Sequence, residues 1–192
     1  MKRGRKGNKM AEQQGKWELL ETKVDLARQY TEEALYNRNN ISVDEFYPEF
    51  NTHYLTAQTM AEGGHFSRRE MPVLNEEDIP GIKALMNDRH VGTKYIMMDA
   101  IDLIPLQKQI YLDKVISNTV SSGIQKTKEF LKSKHIFISE EGDILDGHHR
   151  WLAAMLIDPE FQMKAFEIKE HELDALKDMI EFSDEHEHER NA

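Results

Sequence analysis

Ile144-Leu145-Asp146-Gly147-His148-His149-Arg150 runs straight into Trp151-Leu152-Ala153-Ala154-Met155-Leu156-Ile157, and this junction decides the fold. Seven successive apolar residues leave a helix without a polar face, so the helix over 151–157 is expected to lie buried. A short strand over 144–145 reaches it through Asp146-Gly147. The first N–H groups of a helix lack intrahelical partners, and the aligned peptide dipoles add roughly half a positive charge there. Glycine lets backbone approach a ligand closely, arginine presents a planar fork to phosphate oxygens, and imidazoles donate hydrogen bonds or carry protons. The combination describes an anion site, most naturally one for phosphate. The competing interpretation makes Asp146 a simple helix cap and leaves His148, His149 and Arg150 to surface hydrogen bonds. Three cation-capable residues in succession at the head of an apolar helix are a poor choice for capping alone.

Outward from this junction the pattern is mixed. Residues 135–139 alternate as a strand, and Glu140-Glu141-Gly142-Asp143 forms a tight turn in which Gly142 supplies the positive φ, so a hairpin leads to the junction. Downstream, Asp158-Pro159 ends the helix, because the residue before proline is pushed out of the helical region. Residues 163–168 read as a strand, and 172–182 as a helix with Leu173, Leu176, Met179 and Ile180 facing inward. Upstream, 95–104 reads as one strand stopped by Pro105, with Ile101 and Leu103 on one face and Asp102 between them. Helical spacing resumes over 107–120, Ser121-Ser122-Gly123 reads as a loop, and Phe130-Leu131 belong to a further short helix. Two amphipathic helices are expected over 17–36 and 43–61, then a break at Gly63-Gly64 and a short helix over 79–86. The expected class is α+β. The expected organisation is a disordered basic arm (1–15), a helical N-terminal region (16–93), a compact mixed unit (94–182) and a loose charged tail (183–192).

Composition narrows the chemistry. The chain has 192 residues, 39% of them hydrophobic, which is enough to bury a core. It has no cysteine, which excludes disulfides, thiolate zinc sites and a cysteine nucleophile. No apolar run approaches the roughly 18–20 residues of a membrane span, and the basic start leads into no signal core, so a cytoplasmic protein is expected. A net charge of −10 disfavours nucleic acid as a partner, apart from what a local basic patch could hold. Phosphate-loop, dinucleotide-fingerprint and zincin motifs are absent from the sequence.

Asp146-Gly147-His148-His149-Arg150, preceded by Ile144-Leu145 and followed by Ala153-Ala154, resembles the phosphate-binding box of the ParB/sulfiredoxin superfamily. Ile101-Asp102-Leu103-Ile104-Pro105-Leu106-Gln107 is similar to the segment that opens that domain, and the resemblance covers roughly residues 94–182. Arg69-Glu70-Met71-Pro72 is similar to small stand-alone versions, often phage-encoded and labelled ParB-like nucleases, for which the compartment would be the host cytoplasm. The resemblance implies a small mixed sheet with helices and a pocket for nucleotide phosphates. Sulfiredoxins use ATP, partitioning ParB proteins bind and hydrolyse CTP, and related free-serine kinases use ADP or ATP. Carried onto this chain, Gly147 admits phosphate, and His149 and Arg150 contact it. His148 stands where sulfiredoxin has its cysteine, which removes the thiol chemistry. It is left as a nucleophile, a proton donor or a further phosphate contact. Gln107 and Lys108 lie where the family's chain enters the pocket and are expected to touch base or phosphate. The ten residues after 182 are too few for the helix-turn-helix and dimer-forming tail of partitioning proteins, so that role is not expected.

The remaining candidates are Asp146 as a Mg²⁺ ligand bridging phosphates, with a cap or turn role as its alternative, and Glu140 or Glu141 as a general base should the hairpin fold over the pocket. His186-Glu187-His188 is expected to be a solvated tail, and His135 and Asp143 are expected to be solvated as well. Three functions follow. The first is a nucleotide-binding enzyme, kinase-like or hydrolase, acting on ATP, ADP or CTP with Mg²⁺ and passing phosphate to water or to a small-molecule or protein acceptor, with His148 and Asp146 as its catalytic candidates. The second is a metal-dependent ParB-like nuclease. The third is a non-catalytic nucleotide sensor or partner-binding module.

Overall fold

A computed structural model describes residues 28, 29, 31, 32, 66–107 and 112–188. The expected basic arm, most of the two expected N-terminal helices and Lys108 lie outside the described residues. The strands are β1 (Thr93–Asp99), β2 (Ile104–Pro105), β3 (Ile136–Ile138), β4 (Asp143–Asp146) and β5 (Gln162–Ile168). Among the described residues, the longer helices are α1 (Ile79–Asp88), α2 (Leu112–Ser122), α3 (Ile124–Ser133), α4 (His148–Ile157) and α5 (Glu172–Glu185).

The strands form one mixed sheet in the order β1-β5-β3-β4-β2. β5 pairs antiparallel with β1 and parallel with β3, β3 pairs antiparallel with β4, and β4 pairs parallel with β2. The class is therefore α+β. Successive strand residues point to opposite faces, so neighbouring apolar residues feed two different cores. Ile136, Ile138, Ile144 and Ala165 pack with Ile116, Leu131, Trp151 and Leu152 of α2, α3 and α4. Phe137, Leu145, Phe166 and Ile168 pack with Ile79, Ile82 and Met86 of α1 and with Leu176, Met179 and Phe182 of α5. Met71 and Leu74 belong to this second core, so residues 71–86 are built into the same packed unit as the sheet. Further out, Arg28 Nε donates to the Met155 carbonyl (2.7 Å) in the last turn of α4.

Several boundaries differ from the sequence expectation, each for a tertiary reason. The single strand expected over 95–104 breaks after Asp99 into a 3-10 turn, Ala100–Asp102. Ala100 and Ile101 give their N–H groups to the Phe161 and Pro159 carbonyls, and the Trp151 indole N–H takes the Ala100 carbonyl (2.8 Å). Leu103 is consequently buried while Ile101 is exposed, and Pro105 sits within β2 instead of stopping a strand. Gly123 alone, at φ +81°, separates α2 from α3. Leu173 is 54% exposed and does not face the core. The tail is not loose through His188. Ser183 is buried, and its hydroxyl donates to the Val73 carbonyl and accepts the Val73 N–H, both at 3.1 Å. His186 stacks on Phe182, and His188 Nε2 lies 3.0 Å from Asp78 Oδ2.

Candidate functional site

The hairpin turn behaves as expected, with Gly142 at φ +87°, and it returns β4 alongside β3 so that Asp146 ends the strand beside the head of α4. Gly147 is the N-cap at φ +110° and ψ 18°, a left-handed conformation that side chains rarely adopt. A Cβ there would lie 2.5 Å from Ile136 Cγ2. The missing side chain thus lets β3 approach the helix head. Ile136 fills the side of Gly147 on which a side chain would stand.

α4 begins at His148, so the histidines form its first turn and do not precede it. His148 is 2% exposed, and its Nε2 accepts the backbone N–H groups of Leu106 and Gln107, each at 3.0 Å. Accepting at Nε2 places the ring proton on Nδ1. Burial, reinforced by the His149 charge, pushes its pKa down to about 3. A buried neutral imidazole clasping two backbone donors ties the head of α4 to residues 106 and 107, and His148 lines neither of the two clefts that Arg150 lines. Its folded pKa lies below the ordinary value near 6.5, so its contribution to stability is present above that pH and is lost as the pH falls towards about 3. Nitrogen-detected NMR at pH 5 is expected to show one histidine neutral with its proton on Nδ1, and that signal is expected to be missing from His148→Gln. A protonated ring at that pH would contradict the assignment.

Asp146 Oδ2 accepts the Leu74 N–H (3.0 Å). Burial pushes its carboxyl above the usual range, opposed by the Arg150 charge and by the N–H groups of Leu74 and Gly147. Arg150 Nη1 donates to the His135 carbonyl (2.8 Å). Burial lowers the guanidinium pKa, while the Asp146 and Glu76 carboxylates hold it up.

Arg150 lies between two clefts. The first, of about 260 Å³, includes Glu76, Glu77, Asp146, Lys134 and His135 in its lining. The second, of about 210 Å³, opens between α2, α3 and the head of α4, and its charge-bearing lining residues are Lys126, His149 and Arg150. Asn118, Thr119, Ser122 and Thr127 also line it, and among the described residues no carboxylate does. The two clefts therefore differ in charge: the first is mixed and the second is basic.

Other candidates fall elsewhere. Gln107 is buried, lines neither cleft, and bridges to Phe66. Glu140 and Glu141 are exposed in the hairpin turn, at the opposite end of β4 from Gly147, so neither reaches a cleft as a base. Asp143 and His135 are not solvated as expected. Asp143 is buried under the Ser139 hydroxyl (2.8 Å), and burial pushes its pKa up to about 6. His135 is part-buried and paired through Nδ1 with Glu76 (3.0 Å). Among the described residues, no three His, Asp or Glu side chains are grouped so as to hold a metal ion. A Mg²⁺ at Asp146 would have to take its remaining ligands from phosphate oxygens and water, as that ion commonly does.

Sequence reasoning missed Leu74 and Glu76, which reach the site from outside the box. The only local signal was Asn75-x-x-Asp78, in which the Asn75 N–H bonds Asp78 Oδ2 (2.7 Å); that marks a turn without naming its partners. No helix among the described residues is long and apolar enough to cross a membrane. No protein-family model, curated protein or solved structure matches this chain.

Proposed function

We propose that this protein binds the phosphates of a nucleotide in the basic cleft at the head of α4 and hydrolyses or transfers a phosphoryl group from it. The observation that carries the reading is the lining of that cleft, where Lys126, His149 and Arg150 converge with hydroxyl and amide side chains and, among the described residues, no carboxylate. A helix N-terminus adds the favourable end of its dipole to those cations. The neighbouring cleft carries Glu76, Glu77 and Asp146, a poorer environment for a polyanion. The likeness of the Gly147-His148-His149-Arg150 box to that of the ParB/sulfiredoxin superfamily points the same way, with His149 and Arg150 as phosphate contacts and ATP, ADP or CTP as ligand. Catalysis in such a site rests on positioning and charge neutralisation. Mg²⁺, when bound with the nucleotide, would supply further charge neutralisation there, whereas Asp146 belongs to the lining of the neighbouring cleft.

Calorimetric titration with ATP, ADP and CTP, each with Mg²⁺, tests the reading. Wild-type protein is expected to bind one of them saturably. Lys126→Ala and Arg150→Ala are each expected to bind it about 10- to 100-fold more weakly, the loss of one charge-assisted hydrogen bond of about 1.5–3 kcal/mol. Absence of binding to all three, or variants that bind as well as wild type, would overturn it.

A further inference from the structure

We propose that Glu76 is a positioning residue for Arg150, so that the phosphate site is completed by a segment outside the region of family resemblance. The inference rests on the reading of Arg150 as a phosphate ligand. The Glu76 carboxylate grips His135 twice, accepting its backbone N–H at Oε1 and meeting its ring Nδ1 at 3.0 Å from each oxygen. The carbonyl of the same His135 takes Arg150 Nη1 at 2.8 Å. Residue 135 precedes β3 and is held on one side by Glu76 and on the other by the guanidinium. Glu76 is thereby one residue removed from the arginine; it lines the mixed cleft, which shares Arg150 with the basic cleft proposed for phosphate.

Glu76 is itself held in place. The 3-10 turn Glu76–Asp78 lies between the Leu74 N–H, bonded to Asp146 Oδ2 (3.0 Å), and Asp78, bonded to His188 (3.0 Å). Val73, just before it, is bonded both ways to Ser183. The turn is thus tied to β4 and to the end of α5. Immobilising a long, rotamer-rich arginine before a ligand arrives lowers the ordering cost of binding. With Glu76 removed, residue 135 loses both side-chain bonds, and the carbonyl that orients the guanidinium is no longer fixed.

Two readouts test this. The first is the nitrogen–proton NMR signal of the Arg150 Nε–H group, identified by its loss in Arg150→Lys. The second is the dissociation constant for ADP. In Glu76→Ala the Arg150 signal is expected to shift and its solvent exchange to speed up about tenfold, with ADP bound about tenfold more weakly. Glu76→Gln keeps a carbonyl acceptor for the His135 N–H and is expected to restore affinity to within about threefold of wild type. An unchanged Arg150 signal in Glu76→Ala, even with a lowered melting temperature, would overturn the proposal. Should Glu76→Ala fail to fold, Glu76→Asp, one methylene shorter, is read in the same way. If wild-type protein binds no ADP, the phosphate reading fails for that nucleotide, while the NMR signal still decides whether Glu76 positions Arg150.

Discussion

Gly147→Ala is expected to lower the free energy of unfolding by roughly 2–5 kcal/mol, the sum of a side chain forced into left-handed backbone and an overpacked contact. That is a large share of the total for a domain of this size. The new methyl would stand 2.5 Å from Ile136 Cγ2 and 3.0 Å from its Cβ, atoms on a buried strand with little room to retreat. Gly142→Ala provides the contrast. Its φ of +87° is also left-handed, but its added Cβ would meet the methyl end of Met98 at 3.4 Å, an ordinary contact, so only the backbone strain applies. Urea unfolding of both variants checks the ordering. Combining Gly147→Ala with Ile136→Ala probes the two terms, because removing Cγ2 relieves the 2.5 Å contact while leaving the 3.0 Å approach to Cβ and the strained φ. The double variant is therefore expected to lose less than the sum of the single losses. Additive losses would show that Ile136 is not the obstacle.

His148→Leu is expected to cost about 2–4 kcal/mol through the loss of a single acceptor atom. Leucine fills a similar volume, so the loss arises from the Leu106 and Gln107 N–H groups, both on buried residues and both directed at Nε2. His148→Gln can place an amide oxygen near the Nε2 position and is expected to recover more than half of the loss. Urea midpoints of the three proteins measure this. The opposite pattern, with unchanged midpoints and weakened nucleotide binding, would return His148 to the phosphate. The acid response has competing parts. Burial raises Glu170 to about 7 and Asp143 to about 6, so those two groups favour the folded state as the pH falls towards 4, while His148 disfavours it.

The parts of this structure legible from sequence are those with local causes. Seven apolar residues in a row buried α4, the Glu140-Glu141-Gly142-Asp143 turn with its glycine at positive φ closed the β3–β4 hairpin, and Asp158-Pro159 ended the helix. The alternation of 135–139 and 163–168 marked two strands within a residue or two of their ends. What was illegible depended on partners far away in the chain. The break after Asp99 is set by Trp151, Pro159 and Phe161, some fifty or more residues later. The role of His148 is decided by backbone groups 41 and 42 residues earlier. A histidine at the head of a helix looks the same in sequence whether it faces solvent or the interior. Glu76 gave no sign of its importance because its partner, His135, lies 59 residues away.

The sharing of one core between residues 71–86 and the sheet has a consequence for how this unit could be exchanged among proteins. A chain begun at residue 93 would keep the five strands, the box and α2 through α5. It would lose Met71, Leu74, Ile79, Ile82 and Met86, which cover Phe137, Leu145, Phe166 and Ile168. The uncovered face would make the fragment self-associate. Recombination that grafted the box onto another protein would have to carry at least the preceding residues 71–86 with it, so the heritable module is longer than the motif by which it would be recognised.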